Sequence, residues 1–183
     1  GLRFEPERPV TRAELVWLLL AISGLGGSDA DTYAFSDIAG HPLAPYIQAA
    51  AEFNLVHGTG GGRFEPDRPV TRQEAAIMVY NGLRRSVQEP AFADVQVEGN
   101  TAPWARHAVR MIVGLGLHGP EVALSDSGVP IFNGAEWLTR QEEAALLYKL
   151  LLTPVQQIAE ELMQRPPSET VPGAGADAGH EED

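Results

Sequence analysis

Three arginines stand where a helix would least favour them. Arg12, Arg72 and Arg140 each sit inside a Thr-Arg-x-Glu run: Thr11 to Glu14, Thr71 to Glu74 and Thr139 to Glu142. Thr-x-x-Glu is the capping-box spacing, in which threonine takes the N-cap and the glutamate reaches back to its N–H. Thr11, Glu14, Thr71, Glu74, Thr139 and Glu142 therefore read as structural helix-capping residues. The arginine between them falls at the first helical position, where the positive end of the helix dipole disfavours a cation by about 0.3–1 kcal/mol. A local rule broken three times in the same way points to function. A guanidinium beside helix N-terminal N–H groups would make a pocket for a carboxylate. In the competing reading, each arginine pairs with the glutamate two residues on, or lies flat on an aromatic ring.

These arginines belong to a longer recurrence. Phe4-Glu-Pro-Glu-Arg-Pro-Val-Thr-Arg-Ala-Glu14 returns as Phe64-Glu-Pro-Asp-Arg-Pro-Val-Thr-Arg-Gln-Glu74. It returns again, worn, as Phe132-Asn-Gly-Ala-Glu-Trp-Leu-Thr-Arg-Gln-Glu142. Such recurrence is the mark of a repeat protein. Each run opens a helix whose apolar residues keep helical spacing: Leu15, Leu18, Leu19 and Ile22; Ala75, Ala76, Val79 and Leu83; Ala144, Ala145, Tyr148 and Leu151. Trp17 is expected in the core.

A second half-unit precedes the later two runs. Phe35-Ser-Asp37-Ile38 matches Phe92-Ala-Asp94-Val95, and each predicts a following helix, Tyr46 to Leu55 and Trp104 to Val113. Gly58 and Gly119 are expected to supply the left-handed turn past those helix ends. Asp37 and Asp94 suit either a turn or helix cap or hydrogen bonding to a sugar. Tyr46 and Trp104 could stack on a sugar face or pack in the core. The spacing predicts an all-α fold of helix, Gly-rich loop, Phe-x-Pro turn and Thr-capped helix. The expected boundaries are residues 1–27 for a first copy lacking its front half, 33–85 for the second and 90–152 for the third. A short C-terminal helix is expected over 153–165, and a disordered acidic tail over 166–183.

Composition narrows the function classes. The chain has 183 residues, no cysteine and a formal net charge of -12. Disulfides and thiolate chemistry are excluded, and so acidic a chain is a poor ligand for nucleic acid. No apolar run reaches the roughly 18 residues of a membrane span, so no membrane insertion is expected. His57 and His118 each precede glycine at equivalent places. No ligand partner recurs with them, so no metal and no cofactor is expected. Catalytic motifs such as Gly-x-Ser-x-Gly or His-Glu-x-x-His are missing, and the chain is not expected to be an enzyme.

The Phe-x-Asp entry, the Gly-rich turn, Phe-x-Pro-x-x-Pro-Val and Thr-Arg-x-Glu, in this order, resemble the S-layer homology module, a bacterial cell-surface anchor. The resemblance covers residues 1 to about 152. It implies a pseudo-threefold arrangement of helix-loop-helix repeats around a central helical bundle. It also implies an extracellular place at the cell wall and grooves that bind an acidic secondary cell-wall polysaccharide, often through a pyruvylated amino sugar. On that resemblance Arg12, Arg72, Arg140, Asp37, Asp94, Trp104, Tyr46 and Gly58 form the candidate glycan-binding set. The grooves between copies one and two and between copies two and three are expected to be competent ahead of the third. The alternative is a protein–protein module, self-associating or joining another surface-layer protein, whose grooves are vestigial.

Overall fold

The computed structural model describes residues 3–84 and 89–153. The expected helix over 153–165, apart from Thr153, and the tail over 166–183 lie outside the described residues. The described residues form five α-helices: α1 (Arg12–Ile22), α2 (Ala44–Glu52), α3 (Arg72–Leu83), α4 (Arg106–Gly114) and α5 (Arg140–Leu152). Two 3-10 turns, Glu89–Phe92 and Pro103–Ala105, precede α4. Among the described residues the remaining main-chain pairing is confined to isolated bridges, so the fold is helical.

Helices α1, α3 and α5 begin at the three threonines. Thr11 and Thr71 accept from the N–H of Glu14 and Glu74, and each glutamate accepts from the threonine N–H at 2.9 Å. The third box is half made. Thr139 N–H reaches Glu142 at 3.2 Å, but the Thr139 hydroxyl has no partner among the described residues.

Helix ends differ from expectation. Left-handed residues terminate α1, α2 and α4 at Gly24 (φ 68°), Asn54 (φ 56°) and Gly116 (φ 65°). In each case the following N–H returns to a carbonyl five residues earlier: Leu25 to Leu20, Leu55 to Ala50 and Leu117 to Ile112. These are paired C-terminal caps of the Schellman type. Gly58 lies beyond that turn and answers a steric demand instead. A Cβ there would stand 2.6 Å from the Arg63 carbonyl oxygen and 3.0 Å from the Phe35 ring. Helix α2 also starts two residues before Tyr46, because Pro45 is tolerated in a first turn.

The three recurring runs meet one another directly. Val10 N–H donates to Leu138 O, Leu138 N–H to Val70 O, and Val70 N–H to Val10 O, each at 2.9 Å. The cycle closes on itself, and its three side chains are 0%, 4% and 0% exposed, in that order. Burying each contributes about 2 kcal/mol. Around the cycle, helices α1, α3 and α5 leave in turn; α2 packs on α1 and α4 on α3, while α1 also touches α3 and α5.

One buried position breaks the pattern. Leu15 in α1 and Ala75 in α3 are 0% and 2% exposed, and the matching residue of α5 is Glu143, 7% exposed. Its Oε1 has no hydrogen-bond partner among the described residues. Burial, then the negative field of Glu14, pushes the carboxyl from 4.5 to about 7, and Arg140 and Arg8 only partly oppose this. A carboxyl raised by folding holds its proton longer in the native state. Stability is therefore lost as pH rises from the ordinary carboxylate range through about 7. Glu143→Leu should stabilise the protein by on the order of 3 kcal/mol at about pH 8. The gain from ionisation should vanish near the unfolded carboxyl's own range. Urea unfolding across that pH interval checks both the size and the sign.

Candidate functional site

Arg12 leaves the first turn of α1 and crosses to the second copy. Its Nε donates to Phe64 O at 2.9 Å and its Nη2 to His57 O at 3.2 Å. The guanidinium carbon lies 4.6 Å from the centroid of the Phe64 ring. The carboxylate nearest Arg12 is Glu74, at 3.4 Å from Nη1. That carboxylate is shared, since Arg68 holds it at 2.5 Å. The side chain of Arg12 is only 4% exposed. Burial pulls its pKa below the ordinary arginine value, and the attraction of Glu74 does not fully offset this. A guanidinium has five N–H donors; three are engaged here, the Glu74 contact being long. This is a desolvated cation whose internal neutralisation is incomplete.

The space beside it is open. A cleft of about 400 Å³ is lined by Arg12, Arg68, Glu74, His57, Gly58 and Trp104, together with neighbouring apolar side chains. Its volume falls in the range of small-ligand pockets. Trp104, from the 3-10 turn before α4, is 55% exposed and forms part of the wall, so the cleft joins residues of α1, of α3 and of the turn before α4. Gly58 keeps the wall narrow because no Cβ fits there. Its N–H has no acceptor among the described residues.

Asp37 supports this cleft from outside it. Its two carboxylate oxygens accept from Phe64 N–H and Glu65 N–H at 2.8 Å, with Arg63 3.6 Å away. Burial raises the Asp37 pKa, but the main-chain donors outweigh it and leave the group below its ordinary value. Glu65 is left-handed, with φ 59°, a conformation unfavourable to a side chain by about 1 kcal/mol or more. Asp37 holds that turn, and the turn presents the Phe64 carbonyl to Arg12. Its oxygens are used inside the protein, so Asp37 is a positioning residue.

The other candidates separate. Arg72 makes a two-point ion pair with Glu142, 3.0 Å from Nε and 2.6 Å from Nη2, and a third bond to Glu136 at 2.6 Å. Only about 20 Å³ of space remains beside it, close to the room for one water. Arg140 lies over the Phe4 ring, 5.2 Å to the centroid. Asp94 is exposed, and Tyr46 is half-buried against the core, away from the Arg12 cleft. Trp17 is 40% exposed and not a core residue. The second groove, expected to match the first, is thus filled by internal ion pairs.

The first two N–H groups of α1, α3 and α5 are not free for a ligand. Arg12 and Ala13 donate to Arg68 O and Pro66 O; Arg72 and Gln73 to Glu136 O and Gly134 O; Arg140 and Gln141 to Arg8 O and Pro6 O. The neighbouring turn consumes what the dipole argument reserved for an anion. The guanidinium and the Gly58 N–H remain as donors.

Sequence reasoning did not pick out Arg68, Glu136 or Glu121. The first two were readable in the recurring run, where the place of Arg8 and Arg68 is taken by Glu136. Among the described residues no group of three or more His, Cys, Asp or Glu could hold a metal ion. No described helix is long and apolar enough to cross a membrane. Chemically, the arrangement suits recognition of an anion bearing a flat or apolar face.

Residues 34–76 match the S-layer homology domain. The chain is 24% identical over 114 residues to an uncharacterized cell wall amidase of Bacillus anthracis, covering 62% of this chain and 22% of that protein. It is 28% identical over 122 residues to a cellulosome-anchoring protein of Acetivibrio thermocellus, covering 63% and 27%. With the S-layer protein sap of Bacillus anthracis it shares 28% identity over 119 residues, covering 62% and 14%. The chain therefore spans about a quarter or less of the length of these relatives. The domain and these relatives place it outside the cell, at the bacterial surface.

Arg12 is part of the fold as well as of the cleft, because its loss leaves the Phe64 and His57 carbonyls without their donor. Arg12→Ala should lower stability by about 2–4 kcal/mol. Arg140→Ala, with no ion pair to lose among the described residues, should cost under about 1 kcal/mol. Equilibrium urea unfolding of the two variants compares them directly.

Proposed function

Because the chain carries an S-layer homology domain at residues 34–76, we propose that it anchors its parent protein to the cell wall by non-covalent binding of an acidic polysaccharide. The observation that carries this reading is the Arg12 cleft: a buried, incompletely neutralised guanidinium opening on about 400 Å³ walled by Trp104 and Gly58. A carboxylate such as that of a pyruvyl ketal would accept from the uncommitted N–H groups of Arg12, a charge-assisted bond stronger than a neutral one. The Gly58 N–H is a second donor, and Trp104 offers an exposed ring to a sugar face. In this reading residues 1–27, 33–85 and 90–152 are three copies in a pseudo-threefold array about α1, α3 and α5. The cycle of bonds through Val10, Val70 and Leu138 supports that symmetry. Asp94, Tyr46 and Arg140 lie outside the site so defined.

The S-layer homology domain is an anchoring module and not a catalytic one, so no reaction is assigned to it. The relative named as an amidase is matched over only 22% of its length.

A second reading, association between surface proteins, is favoured by one face of α5. Tyr148, Leu151 and Leu152 are 65%, 62% and 64% exposed, whereas α1 and α3 each carry a packed helix, α2 and α4. Light scattering should show a concentration-dependent mass if this face associates, and Leu151→Glu should abolish that dependence.

Trp104→Ala tests the anchoring reading with little risk to the fold, because the side chain is more than half exposed. It should weaken binding to purified cell walls by about tenfold at most, with an unchanged melting temperature. Walls stripped of their secondary polymer should retain neither protein. Equal retention by stripped and intact walls would sink the proposal.

A further inference from the structure

The arginine one repeat further on meets a different set of charges. In the first two copies, Arg8 and Arg68 hold the capping glutamate of their own helix, Glu14 at 2.7 Å and Glu74 at 2.5 Å. Arg68 so draws Glu74 away from Arg12, leaving that pair at 3.4 Å. The third copy has Glu136 at this place. It cannot hold Glu142, which closes on Arg72 at 2.6 Å, and it binds Arg72 itself at 2.6 Å.

A second carboxylate occupies the other donor. Gly119 stands where the earlier copy has Gly58, and its N–H donates to Glu121 Oε1 at 2.9 Å. The partner oxygen, Glu121 Oε2, is buried without a hydrogen bond among the described residues. Two places after Gly58 the matching residue is Gly60, which carries no side chain. Hydrogen bonding to Glu142, with the fields of Glu142, Glu136 and Glu121, outweighs burial and raises the Arg72 pKa, the opposite of Arg12. The space beside the arginine falls from about 400 to about 20 Å³.

We propose that Glu136 and Glu121 close the Arg72 cleft to acidic ligands, so that the acidic-ligand site of this region is the one at Arg12. The proposal rests on reading the Arg12 cleft as an anion site. An entering carboxylate at Arg72 would have to displace internal carboxylates already bonded there. It would also meet three like charges facing one guanidinium.

The experiment follows the Nε–Hε resonances of Arg12 and Arg72 in the whole chain. The titrant is an N-acetylhexosamine methyl glycoside bearing a pyruvyl ketal. In the unmodified chain the Arg12 signal should move and the Arg72 signal should not. In the double variant Glu136→Arg, Glu121→Gly, which copies the charge pattern beside Arg12, Arg72 should become responsive. Its affinity should come within about tenfold of the first site. If the double variant does not fold, Glu136→Arg alone, at a side chain 57% exposed, should still make Arg72 responsive, with weaker affinity because Glu121 keeps the Gly119 N–H. Movement of Arg72 in the unmodified chain overturns the inference, as does a silent Arg72 in the folded variant. A silent Arg12 in the unmodified chain instead counts against the anchoring site, and the Arg72 result in the variant still decides this inference.

Discussion

The cycle of three main-chain hydrogen bonds among Val10, Leu138 and Val70 is the constraint on which the rest of the structure depends. A buried amide must find a partner or lose a kcal/mol or more, about 1–3 by mutational measures. Here each copy supplies the acceptor that another needs, and no copy satisfies itself. The second tier of bonds, from the first helical N–H groups to the neighbouring turn, follows from that registration. It fixes every arginine of the series against the aromatic or carboxylate of another copy.

A shared frame does not impose a shared function. The same main-chain geometry carries Arg12 into a cleft with one loosely held carboxylate and carries Arg72 onto a tightly held pair. The difference lies in side chains that the frame does not require, Arg68 against Glu136 and Gly60 against Glu121. Buried charge is expensive when unpaired and inert when fully paired. The Arg12 site lies between those limits, which suits it to an external partner.

The helix starts were legible because capping is local chemistry: threonine, three residues and glutamate specify it without the remainder of the fold. The helical class followed from apolar spacing for the same reason. Helix ends were less legible. Asn54 and Gly116 take the left-handed place, and a glycine four residues past Asn54 drew attention because of its type and not its torsion. The most instructive miss concerns the N-terminal N–H groups. Sequence placed the arginines beside free donors, but tertiary contacts with Arg68 O, Glu136 O and Arg8 O consume them. Long-range bonds of this kind leave no trace in local spacing. Asp37 shows the converse, since its type suggested either turn or sugar and its two main-chain bonds assign it to the turn.

The bond between Val10 and Leu138 joins segments 128 positions apart in the chain. Closing so wide a loop is entropically demanding and slows folding relative to helical proteins built from neighbouring contacts. Until the last threonine-capped helix has been made, the first segment has no acceptor for its valine amide. As the chain emerges, this region would thus remain unfinished until Leu138 is available. For a segment whose place is outside the cell, such late closure would keep residues 10–138 threadable until the last of them has crossed.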